Sequence, residues 1–238
     1  MSNVHVESTR SGARWATTIA TKHAELRDSQ GKADEVFSTA ATTTTQREGL
    51  VNGKDNQAYY ADVGSSDCLR CAANAGIAAT LSGGAVVSIY TDNEYQSKDL
   101  DFVTAATVDD LTQVLEPLGF VHMGVPRMSQ FEHPLVEWFV EFPPTPISFG
   151  NLHVDHKDCA TIDLSVGRLR IITPTQSVMD RLAAAIHWSD AQSREQAILV
   201  SAHQSIDWEA LENWFANEGE SIEDFEQFRA LAKSKKQN

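Results

Sequence analysis

The chain has 238 residues with a formal net charge of -14, which works against non-specific nucleic-acid binding, since that relies on Lys and Arg displacing phosphate counterions. At 42% hydrophobic and 22% charged residues it can bury a sizeable core, so a wholly disordered chain is excluded. No apolar run approaches the roughly 18 residues of a membrane span, the N-terminus lacks the basic-then-apolar order of a signal peptide, and three cysteines do not make a disulfide framework; a cytoplasmic protein with no membrane partner is expected.

Residues 1–67 are rich in Thr, Ser, Ala and charged groups and poor in Ile, Leu and Phe, and read as a poorly ordered or peripheral N-terminal segment. A helix is expected from about Ala13 to Ser29, then linker at Ala40–Thr45 and a turn within Leu50–Asn56. Cys68-Leu-Arg-Cys71 has metal or redox spacing, but neither a second ligand pair nor a thioredoxin-like setting accompanies it, so two cysteines near the start of a small-residue helix is the better account.

From Cys68 onward helix and strand patterns alternate, as in a mixed sheet with helices packed on it. Ile77–Tyr90 reads as strand, glycine turn at Gly83-Gly84, then helix; a polar loop from Thr91 to Ser97 leads into the strand Lys98–Val103. Successive strand side chains alternate faces, so Asp99 and Asp101 point one way while Leu100 and Phe102 enter the core. Two parallel carboxylates suit magnesium, which takes hard oxygen ligands. A bare Asp-x-Asp is more often a solvated strand end. The preceding glycines change that, because they let backbone N–H groups and a helix N-terminus approach an anion.

Apolar residues at 108, 111, 114, 115 and 118 predict a helix, and a strand begins at Gly119–Met123. Val136, Trp138, Val140 and Phe142 share one strand face, leaving Glu137, Phe139 and Glu141 on the other. Pro143-Pro144-Thr145-Pro146 stops that strand, and Ala160–Val166 with Arg168–Thr173 form a hairpin at Gly167. The remainder is helical: Thr173-Pro174-Thr175 opens a helix through Val178–Ile186, Ser205 and Ser221 read as N-caps of two more, and Gly219 marks the break between them. Lys233, Lys235 and Lys236 read as a solvated helix end. Trp188 is expected in the core, and His133 and His187 as structural or exposed residues.

On Leu81, Gly83, Gly84, Asp99 and Asp101 the chain resembles the nucleotidyltransferase superfamily, which includes DNA polymerase beta, kanamycin nucleotidyltransferase and abortive-infection-type toxins. Their signature is a hydrophobic residue, Gly-Gly or Gly-Ser, a short helix, and Asp-x-Asp or Asp-x-Glu on the next strand. The resemblance runs from about Gly76 to Glu226, its specific part confined to the glycines and the acidic strand. It implies an α/β (α+β) fold, a mixed sheet flanked by helices over residues 68–173 with a helical C-terminal region at 174–238. The implied activity is Mg2+-dependent transfer of a nucleotidyl group from an NTP to a hydroxyl of a tRNA, a protein or a small molecule. A toxin-type enzyme with a cognate antitoxin, or a homo-oligomer, falls within its range. The resemblance assigns Asp99, Asp101 and Glu141 as catalytic metal ligands, with Asp163 second choice for the third position. Gly83, Gly84, Ser88, Ser97, Arg181 and Asp190 are its nucleotide-side residues. One departure is Ala85, where many toxin-like members carry Ser or Thr; Ser82 and Ser88 are the candidate substitutes. The alternatives are a non-catalytic nucleotide-binding module of a toxin–antitoxin pair, and a phosphohydrolase using the same acidic pair.

Overall fold

The computed structural model describes residues 76–124, 129–134, 138–164 and 167–237; the segment 1–67, its expected helix, Cys68 and Cys71, and Val136 and Glu137 lie outside them. β1 (Ala79–Ser82) runs straight into α1 (Gly83–Tyr90), and after the polar loop the acidic strand is β2 (Asp99–Thr104). The helical spacing from Val108 becomes α2 (Val108–Leu115) and then a tighter 3-10 turn, Glu116–Leu118, where Pro117 has no N–H to extend the α-helical ladder.

Three short strands follow, β3 (Val121–His122), β4 (Gln130–Glu132) and β5 (Phe139–Glu141). Around β5 the alternation holds: Trp138, Val140 and Phe142 are buried, Phe139 and Glu141 half-buried. Past the prolines stands a hairpin the sequence reading lacked, β6 (Ile147–Phe149) with β7 (Leu152–Val154). Strands of this length are too short to display a period of two. The hairpin expected at Gly167 is β8 (Ala160–Leu164) and β9 (Gly167–Ile171), paired antiparallel.

Seven strands make one mixed sheet in the order β3-β4-β5-β2-β1-β9-β8, and β6-β7 make a second. β1 is central, antiparallel to β2 and parallel to β9, and β2 runs parallel to β5. One face carries Leu81, Leu100, Phe102, Val140, Leu169 and Ile171, all buried, with Val86 and Val87 of α1 fully enclosed. Phe131 meets Phe142 edge-on at 5.7 Å between ring centroids. Each such fully buried side chain contributes about 1.5–3 kcal/mol of hydrophobic stabilisation.

The C-terminal region is four helices, α3 (Pro174–Trp188), α4 (Ala191–His203), α5 (Trp208–Glu218) and α6 (Ile222–Gln237). Phe215 packs against Phe225 and Phe228, and Trp214 Nε1 donates to Phe149 O at 2.9 Å, tying the bundle to β6. Thr173 caps α3 in a capping box with Gln176, with Pro174 in the first turn. Ser205 does not cap α5; Asp207 does, accepting from Ala210 N at 3.0 Å, because its carboxylate sits directly before the first helical residue. Ser221 accepts from Asp224 N at 3.1 Å, and Gly219 ends α5 at a φ of 84°. No helix among the described residues is long and apolar enough to cross a membrane.

The caps give a paired test by urea denaturation. Asp207→Ala is expected to cost about 1 kcal/mol, and Ser205→Ala to stay within about 0.5 kcal/mol of the parent. Equal losses would contradict the assignment of the cap.

Candidate active site

The chain passes from β1 into α1 through Gly83, whose φ of 70° lies in the left-handed region that glycine adopts freely. A Cβ there would also overlap the Asp101 carboxylate. Gly84 is confined as well: its Cβ would lie 2.6 Å from Ser97 Oγ and 3.4 Å from the Tyr95 hydroxyl. The two glycines thus let the first turn of α1, the loop before β2 and the acidic strand meet at one point.

Ser82, at the N-cap of α1, spends its hydroxyl on Asp101 O at 3.3 Å and makes no cap hydrogen bond. Side-chain oxygens of Thr107, Thr173, Asp190 and Asp207 cap α2 to α5. At α1 no side chain takes up the first-turn N–H groups, and the helix dipole favours an anion there.

Paired strand residues share a face, and the register Ser82 to Asp101 to Glu141 runs across β1, β2 and β5. Asp99, two residues before Asp101, lies on that same face. The carboxyl of Asp101 is pushed up from 3.8 to about 7, by burial first and then by the charges of Asp99, Glu141 and Asp180, with Arg181 pulling the other way. Burial and then Asp99 also push Glu141 up. Of the two candidates for the third carboxylate, Glu141 stands on β5 beside β2, whereas Asp163 lies on β8 at the far edge of the sheet and pairs there with Arg168 at 3.2 Å in solvent.

Asp180, to which the sequence assigns no role of its own beside Arg181, joins the site from α3. Its Oδ2 accepts Arg181 Nε at 3.0 Å and Nη2 at 2.6 Å, both side chains being largely buried. Burial opposes the charge on Arg181, but Asp180 and then Asp101 outweigh it and raise its pKa. Asp190 caps α4 and is held below the usual carboxylate range by its bond from Ser193, with a lesser contribution from Arg181.

Ser97 donates to Asp99 Oδ1 at 2.5 Å, and its N–H donates to Ser88 Oγ at 2.9 Å. Ser88 is buried and donates in turn to Gly84 O at 3.3 Å, so it braces the loop against α1. Ala85 is buried and brings no hydroxyl.

His187 bonds Glu218 at 2.9 Å, and His133 packs on Phe120, in keeping with structural roles. Trp188 departs from expectation: it is 79% exposed. It is the last residue of α3, where the left-handed Ser189 turns the chain into α4. Lys235, expected to be a solvated end, reaches Glu94 at 3.3 Å. A cavity of about 810 Å³ lies at the opposite end of β1 and β2 from the carboxylates, lined by Ala78, Thr104, Ile147 and His156, and takes no part in this site.

Among the described residues no three Asp, Glu, His or Cys side chains are gathered closely enough, as they stand, to hold an ion. The chemistry of the donors nevertheless fits a hard divalent cation. Asp99, Asp101 and Glu141 offer only oxygen and share one sheet face, and the charge of Asp99 adds to the burial that raises the pKa of Asp101 and Glu141. The Asp101 carboxylate itself takes the space that a Cβ on Gly83 would need, which seats it against the first turn of α1.

No protein-family model matches the sequence, and no curated protein matches it. Among solved structures, ANT(2'')-Ia in complex with adenylyl-2''-tobramycin is similar at 14% identity and a TM-score of 0.43, over 71% of this chain and 94% of that one. A solution structure of the antibiotic-resistance factor ANT(2'')-Ia gives 13% and 0.43, over 71% and 88%. The lincomycin-bound lincosamide antibiotic adenylyltransferase LnuA gives 13% and 0.41, over 65% and 100%. Likenesses this slight decide nothing about fold or chemistry.

The shift on Asp101 sets a pH dependence. Its folded pKa is about 7 against 3.8 unfolded, so between those values the folded chain keeps a proton that the unfolded chain has lost. This group's contribution to stability therefore falls as pH rises from about 4 to about 7. With metal chelated, Asp101→Asn is expected to remove that slope and to be the more stable protein above pH 7, by on the order of 2–4 kcal/mol. Parallel pH–stability profiles for variant and parent would refute it.

Proposed function

We propose that the chain is a divalent-metal-dependent nucleotidyltransferase, moving a nucleotidyl group from an NTP to a hydroxyl acceptor. One observation carries this reading: the register that lays Asp99, Asp101 and Glu141 on one sheet face beside the uncapped glycine turn of α1. The net charge of -14 favours a small hydroxylated acceptor over a polyanion such as tRNA.

Asp99, Asp101 and Glu141 would hold Mg2+ through carboxylate oxygens. The ion, when bound, supplies Lewis-acid polarisation of the α-phosphate and offsets its charge. The first-turn N–H groups of α1 receive phosphate oxygens, and Ser97 steadies Asp99. Arg181, fixed by Asp180, faces the charge that builds on the phosphates as transfer proceeds. The acceptor oxygen bonds to the α-phosphorus, the bond from that phosphorus to the bridging oxygen breaks, and pyrophosphate leaves. Glu141, whose pKa burial and then Asp99 raise above the ordinary carboxylate value, takes the acceptor's proton.

Asp99→Ala and Asp101→Ala are each expected to lower labelled-nucleotide transfer by at least about a hundredfold with folding intact. Arg181→Lys, which loses the planar fork, should lower it by about tenfold or more. Screening the four NTPs with Mg2+ against small-molecule and tRNA pools reads the product. Pyrophosphate supports transfer, and inorganic phosphate would mean a hydrolase. Absence of metal-dependent nucleotide affinity would mean a non-catalytic module, the reading that buried Ala85 favours.

A further inference from the structure

The loop between α1 and β2 is fastened at both ends of its central stretch. Glu94 accepts from His203 Nε2 of α4 at 2.8 Å and from Lys235 Nζ of α6 at 3.3 Å. The bond from His203 is the main cause of the lowered pKa of Glu94. Three residues on, Ser97 is locked by Ser88 and Asp99. Tyr95 lies between these anchors, its ring half-buried against the core. Its hydroxyl reaches the glycine turn, 3.4 Å from where a Gly84 Cβ would sit, and lies close enough to Arg181 to influence its charge. No hydrogen bond to that hydroxyl is found among the described residues.

A phenol held here without a hydrogen-bond partner among the described residues, between an uncapped helix N-terminus and an arginine, is a donor aimed at whatever anion the turn receives. Of the hydroxyls near the turn, that of Ser82 is committed to Asp101 O, that of Ser88 to Gly84 O and that of Ser97 to Asp99, while Ala85 has none. We propose that Tyr95 is a further nucleotide-binding residue whose hydroxyl donates to a phosphate oxygen seated over Gly84. This rests on the reading that a nucleoside triphosphate occupies the glycine turn. The loop anchors hold the phenol in place before the nucleotide arrives, so little ordering is left to oppose binding.

Tyr95→Phe removes the hydroxyl and keeps the ring. Parent and variant are titrated with each of the four NTPs in the presence of Mg2+, and the thermal midpoints of both are recorded. About a tenfold weaker affinity at an unchanged midpoint is expected, the size of a lost hydrogen bond to a charged group. A variant within twofold of the parent overturns the proposal. A full chain carrying 3-fluorotyrosine at position 95 provides a readout that does not depend on the variant's folding. Its fluorine resonance should move on adding Mg2+ with NTP and not with Mg2+ alone; a resonance indifferent to NTP overturns the proposal while the parent's affinity leaves the transferase reading standing. A parent that binds no NTP overturns both.

Discussion

Carboxylates of Asp99, Asp101, Glu141 and Asp180 converge on a half-buried place where Arg181 is the opposing cation. At an effective dielectric of about 20, two such charges a few ångströms apart repel by roughly 4 kcal/mol. A fold that keeps them together gives up stability to do so, and the raised pKa of Asp101 records the cost of its burial first and of these neighbouring charges second. Around this concentration of negative charge the other features fall into order. Gly83 is bare because a side chain would strike the carboxylate, α1 is uncapped beside it, and Asp180 holds Arg181 so that one positive group stays within reach.

The supports of the site are built by chain segments of very different separation. Local geometry sets the glycine turn and the pairing of Asp99 with Ser97, which are neighbours in sequence. The strand order sets Glu141, because β5 and not β8 lies beside β2. The helical bundle contributes Asp180 and Arg181, and through Trp214 and Phe149 it is anchored to the β6–β7 hairpin. Loss of packing in the bundle would therefore be felt at the carboxylates without any change in the sheet.

What could be read from the sequence follows this division. The alternation that pairs Asp99 with Asp101, and the turn demanded by Gly83, are period-two and φ constraints that a short stretch of sequence displays by itself. The capping box at Thr173 and the break at Gly219 are legible for the same reason. Glu141 was legible as a candidate but could be preferred over Asp163 only by an argument from family likeness, since local pattern says nothing about which strand adds next to β2. Asp180 shows locally only as part of the polar Asp180-Arg181-Leu182 stretch among alanines, and Tyr95 left no local signal: each reaches the site through tertiary packing, from a helix and a loop whose periodicity speaks only of burial. Trp188 misled because hydrophobicity favours burial on average, whereas at the last residue of a helix the turn that follows decides.

The tether from Glu94 to Lys235 joins the loop that carries Tyr95 and Ser97 to the final turns of the chain's last helix. That makes the last turn of α6 a remote handle on the loop that carries Tyr95 and Ser97. Shortening the chain ahead of Lys235, or fusing a bulky tag just beyond it, would act on the loop beside the carboxylates rather than on a dispensable tail.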